Sequence, residues 1–153
     1  MNKTLRAAVL ACALASASMV GGLAAQAQTT ERVYDQGTVW RVNAVQVKPG
    51  MMRTYMANLA SGWRVAQENA KKKGDVISYK VLEVDSARDN EPNLFLMVEY
   101  RNMAVFDESL KDGDARTTAV FGSLEKAQAL VAQRETMRTQ RGETLLRELK
   151  FTN

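Results

Sequence analysis

Polar side chains set among apolar ones are where chemistry would sit in this chain. Arg41 and Asn43 share one face of an apolar segment, and Ser78 and Lys80 share one face of another. Polar groups enclosed between apolar layers either find partners or line a cavity. Tyr55, Trp63 and Tyr79 can supply aromatic walls, which makes these seven residues a candidate binding pocket for a small flat or anionic ligand. Arg41 would then pair a carboxylate or oxyanion. A plainer reading also fits: edge positions, hydrogen bonds at a dimer interface, and core aromatics.

Other groups carry less. The carboxylates Glu83, Asp85, Glu99 and Asp107 have no spacing that demands acid–base work, and no glycine-rich phosphate loop accompanies them. Arg134, Arg138 and Arg141 fall at helical spacing and read as a basic stripe on a last helix, most simply solvated and near its C-terminal end. Met51, Met52 and Met56 read as core filling at a helix start rather than a copper site. Histidine is absent from all 153 residues. That excludes a Ser-His-Asp triad, a Cys-His pair, a His-ligated haem and the His-based zinc and iron sites. No metal site and no cofactor is expected, and no catalytic residue can be assigned.

The elements that must position these groups follow from periodicity. Val39, Trp40, Val42, Ala44, Val45 and Val47 make a strand over 38–47, punctuated by Lys48-Pro49-Gly50. A helix over 51–73 carries Met52, Tyr55, Met56, Leu59, Trp63, Ala66 and Ala70 at three- and four-residue steps, with Lys71–Lys73 and Gly74 at its end. Strands are expected over 75–84 and 94–100. Asn102 can cap a short helix to about Leu110, Lys111–Asp114 reads as a loop, and a long helix over 115–141 ends at Gly142. A strand over 145–151 closes the chain. This order, β-α-β-β-α-β, is the split βαβ pattern of α+β ferredoxin-like folds, with helices on one face of a four-stranded antiparallel sheet. The strands are apolar on both faces, so the second face would be left bare in a monomer. Packing sheet against sheet in a homodimer removes that patch from water.

The N-terminus reads as an address. Lys3 and Arg6 precede an apolar run from Ala7 to Leu23, and Ala25-Gln26-Ala27 is a signal-peptidase pattern. Ser16, Ser18, Gly21 and Gly22 dilute the run too far for a membrane anchor. Cys12 follows too little apolar sequence for lipid attachment. Residues 1–27 are therefore expected to be a cleaved signal peptide, 28–37 a flexible leader and 38–153 one domain, working in the periplasm or outside the cell. Cleavage removes the only cysteine, and with it disulfide and thiol chemistry. It also takes Lys3 and Arg6 from the 21 basic residues, leaving 19 against 17 acidic ones, net +2. Nucleic-acid binding is not expected from so even a balance, nor a stable membrane anchor after cleavage.

Two segments resemble a known group: Val45-Gln46-Val47-Lys48-Pro49-Gly50-Met51 at a strand-to-helix junction, and Val98-Glu99-Tyr100-Arg101-Asn102-Met103-Ala104-Val105-Phe106-Asp107. The chain is similar to the dimeric α/β-barrel superfamily with a ferredoxin-like protomer, which includes antibiotic-biosynthesis-type monooxygenases, haem-degrading enzymes and chlorite dismutase-like proteins. The match in element order spans nearly the whole mature chain. The haem-using branches depend on a histidine this chain lacks, so their activities do not carry over. The resemblance implies either binding of a small hydrophobic or aromatic molecule or a cofactor-independent monooxygenase-like reaction on one. A purely structural or interaction role is the third alternative.

Overall fold

The computed structural model describes residues 31–152. The signal-peptide segment 1–27 lies outside them. Four strands, β1 (Tyr34–Val47), β2 (Val76–Glu83), β3 (Leu94–Tyr100) and β4 (Arg138–Phe151), form one sheet in the order β2-β3-β1-β4. β1 is antiparallel to both its neighbours and β2 is antiparallel to β3. This is the ferredoxin-like split βαβ topology.

Between β1 and β2 run α1 (Met52–Asn58), a π turn (Leu59–Trp63) and α2 (Arg64–Lys73) without a break, and Gly74 closes α2 in the left-handed conformation. Between β3 and β4 come a 3-10 turn (Met103–Asp107), α3 (Leu110–Phe121) and α4 (Leu124–Met137). Alternation along the strands sorts their side chains by face. Val45, Val47, Leu94 and Leu96 meet Tyr55, Leu59 and Met137 in the buried core, and Val39 and Val98 are equally enclosed. Gly62 lets the first helix pack closely on α4, since a Cβ there would lie 3.3 Å from Leu130 Cδ1. Asn58 is buried beside it, and its Nδ2 donates to Gln133 Oε1 at 2.8 Å.

The opposite face holds Trp40, Val42 and Ala44 of β1, Leu82 of β2, Phe95 and Met97 of β3, and Leu146 of β4, as register requires. No element among the described residues covers it, and Leu82 and Leu146 stay 46% and 48% exposed. One end of this face is polar. There Thr38 Oγ1 donates to Glu99 Oε1 at 2.9 Å and lies 3.1 Å from Glu148 Oε2, while Ser78 Oγ donates to Glu99 Oε2 at 2.6 Å.

Several boundaries differ from expectation. β1 begins at Tyr34, because Tyr34–Gln36 pair with Leu149–Phe151, so the expected leader ends sooner. Lys111–Asp114 is helical rather than a loop: Ser109 Oγ accepts from the Asp112 N–H and caps α3 just ahead of it. The long helix is interrupted at Gly122, whose φ of +83° ends α3, and Ser123 caps α4. α4 stops at Met137, and Gly142 is a strand residue opposite Ala44. Arg138 and Arg141 therefore lie on β4, and no basic stripe forms. Arg138 is bound to Glu135 at 2.6 Å, and Arg141 donates to Gln46 and Asn90.

Candidate functional site

A cleft of about 570 Å³ opens between the helix side of the sheet, α2 and the link from β3 into α3. Its walls follow from the elements behind them. β1 supplies Arg41, and β3 ends in Tyr100. Ala66, Gln67 and Ala70 come from α2, where two short side chains leave room. The 3-10 turn, fixed by Asn102 Oδ1 accepting from the Ala104 N–H at 3.0 Å, brings Phe106 over Tyr100. The two rings meet edge to face with centroids 4.8 Å apart. A smaller hollow of about 210 Å³ adjoins it, sharing Arg41, Gln67 and Tyr100 and adding Asn43, Trp63 and Glu143.

Both cleft arginines are held by carboxylates. Arg41 Nε lies 3.0 Å from Glu143 Oε1, the residue two places along β4 from its register partner Leu145. Burial lowers the Arg41 pKa, but the hydrogen bond and charge of Glu143, with Tyr100 adding to them, raise it overall. Arg116 grips Glu108 with two nitrogens, at 3.0 Å and 2.7 Å. That fork holds the Glu108 carboxyl below its ordinary range, against a smaller opposing effect of burial.

A carboxyl whose folded-state pKa is depressed adds stability above its unfolded pKa and loses it as pH falls through the folded one. Acidification through about pH 4 and below is therefore expected to free Arg116 and loosen the cleft rim. Thermal melts of the wild type and Glu108→Gln across pH 3–7 check this: the wild type should lead near neutrality and converge with the variant in acid. Parallel curves would show that the fork contributes nothing.

The seven residues picked out in the sequence are only partly brought together. Arg41, Asn43 and Trp63 meet at the smaller hollow, and Asn43 Oδ1 accepts from Gln140 at 3.0 Å. Tyr79 stands behind Trp63, their rings edge to face at 5.3 Å, but it opens onto a separate groove with Arg64, Glu68 and Lys72. There its hydroxyl donates to Glu68 Oε1 at 2.5 Å, which raises its pKa. Tyr55 is a core residue with 0% exposure, its hydroxyl accepting from Arg138 Nη1. Ser78 and Lys80 project from the other side of the sheet, where Lys80 Nζ sits 5.7 Å from the Trp40 ring centre. Of the four carboxylates weighed, Asp107 lines the cleft while Glu99 is on the opposite face, so these two form no pair. Among the described residues no three Asp, Glu, His or Cys side chains gather to hold a metal, and no helix is long and apolar enough to cross a membrane.

Tyr100, Phe106, Gln67 and Arg116 of the cleft, and Glu143 of the smaller hollow, are residues that the sequence reading did not single out. Tyr100 and Phe106 stand inside the quoted segment 98–107, and their six-residue separation across a capped turn was the available signal. Arg116 lay inside the helix expected over 115–141, with nothing in its spacing to mark it.

No family model and no curated protein matches the chain. Solved structures do resemble it. One is a NIPSNAP family protein of unknown function from Agrobacterium tumefaciens, at 10% identity over 76% of this chain and 92% of that one, with a TM-score of 0.45. Another is a dimeric ferredoxin-like protein from an uncultured marine organism, at 17% identity over 78% and 99%, TM-score 0.45. A third is SnoaB, a cofactor-independent oxygenase from Streptomyces nogalater, at 16% identity over 73% and 91%, TM-score 0.39.

Proposed function

We propose that this is an exported, homodimeric ferredoxin-like protein that binds a small hydrophobic or aromatic molecule in the cleft beside Arg41. The observation that supports this is the cleft itself: about 570 Å³, walled by Tyr100, Phe106 and Val76 and by the polar side chains of Arg41, Gln67, Asp75, Asp107, Glu108 and Arg116. Concave sites of this volume with convergent polar groups are the usual form of small-molecule sites. Because Glu143 already neutralises Arg41, a free anion gains little there. A neutral, flat molecule with hydroxyl or carbonyl edges suits the walls better. The second copy is assigned to the bare sheet face, where Trp40, Val42, Leu82, Phe95, Met97 and Leu146 lie side by side with no covering element among the described residues.

Titration of the purified mature protein with 1-naphthol, followed by calorimetry, tests the binding. Arg41→Met should weaken binding about tenfold through loss of the Glu143 pair and its ordered wall, with the dimer intact. Undiminished binding by Arg41→Met would remove Arg41 from the site. Measuring dioxygen consumption in the same mixtures separates a binder from an oxygenase.

A further inference from the structure

Helix α1–α2 carries one extra residue where it passes from the core to the cleft. The Arg64 N–H bonds to the Leu59 carbonyl, five residues back, and the Ser61 hydroxyl takes up the Asn58 carbonyl at 3.1 Å. Wide turns of this kind are rare and frequently sit at functional sites. Its consequence is geometric. Up to and through its start, Tyr55 and Asn58 of α1 and Leu59 and Gly62 of the turn are buried along one stripe. In an uninterrupted α-helix, at about 100° per residue, Gln67 would lie roughly 120° around from Tyr55. The inserted residue turns the rest of the helix back by about that one step. Gln67 then continues the stripe and lines both hollows, with Trp63 at the smaller one.

We propose that the π turn Leu59–Trp63 is the positioning device of the cleft, and that the Gln67 carboxamide it delivers is the group that recognises the ligand's polar edge. This rests on reading the cleft as a binding site. Arg41 and Arg116 are each engaged by a carboxylate. Gln67 is neutral and both donor and acceptor, so it selects a hydroxyl or carbonyl on a flat apolar body over a bare hydrocarbon. Trp63, stacked edge to face on Tyr79, gives the arrangement its own spectroscopic signature.

The experiment uses 1-naphthol and naphthalene as probes against the mature wild type, Gln67→Leu, and a variant with Ala60 deleted to restore regular α-helix. Gln67→Leu should keep the near-ultraviolet circular dichroism of the Trp63–Tyr79 pair and the wild-type melting temperature. It should lose about tenfold in 1-naphthol affinity while naphthalene affinity holds. The Ala60 deletion should lose both that signature and the preference for 1-naphthol. Equal 1-naphthol affinity in Gln67→Leu and wild type overturns the assignment, as does a deletion variant that keeps signature and preference. If the deletion variant does not fold, Gln67→Leu decides alone. A wild type that binds neither probe removes the binding reading itself, an outcome distinct from a wild type that binds both probes equally, which removes only the role of Gln67.

Discussion

Tyr55→Ala is expected to cost about 3–5 kcal/mol, a large share of the 5–15 kcal/mol that holds a domain of this size together. Tyr55 is wholly enclosed, in a cluster with Val45, Val47, Leu59, Leu94, Leu96 and Met137 that joins sheet to helices. Truncation opens a cavity that a sheet on one side and a helix on the other cannot collapse to fill. It also leaves the Arg138 guanidinium, only 13% exposed, without the hydroxyl it donates to. Urea unfolding gives the measurement. Tyr55→Phe, which keeps the ring and loses only the hydrogen bond, should fall by about 1–3 kcal/mol. An alanine variant no worse than the phenylalanine one would show that the ring is not anchoring the core.

The second large effect is at the bare sheet face. Val42→Asp places a carboxylate in the middle of it, between Met97 on β3 and Thr144 on β4. In an isologous dimer the substitution occurs twice, and each buried, unpaired carboxylate costs several kcal/mol. The dimer dissociation constant should therefore rise by more than about a thousandfold. Val131→Asp, on the exposed side of α4, should leave association as it was. Native mass spectrometry across a dilution series reads both. A wild type that remains monomeric at micromolar concentration would contradict the proposed pairing outright.

The strands were legible because their sequences have one meaning. Leu94–Tyr100 is apolar at nearly every position and could only be an interior strand, and its limits match. The first helix was equally plain from its stripe and from Gly74. What periodicity could not reveal was the inserted residue at Leu59–Trp63, since a π turn shifts the stripe by one position without breaking it. In the second half of the chain the helical pattern ran on into strand. Arg134, Arg138 and Arg141 keep helical spacing, yet Arg138 onward is captured by pairing with β1, a long-range contact that local propensity does not register. The site divided for a similar reason. Alternation put Arg41 with Asn43 and Ser78 with Lys80, as expected. Which face each pair took depended on register and on the irregularity between Val76 and Ser78.

The position of β1 has a consequence for how the chain comes to be folded. β1 is the first element of the domain and β4 the last, yet they lie side by side from Tyr34–Phe151 to Val47–Arg138, and the Thr152 N–H reaches back to the Val33 carbonyl at 2.8 Å. Until β4 has been made, one edge of β1 has nothing to bond to. Such non-local closure is slow to search and is completed late. The sheet is thus completed only when the two most distant segments of the domain meet, however early β1, β2 and β3 have paired.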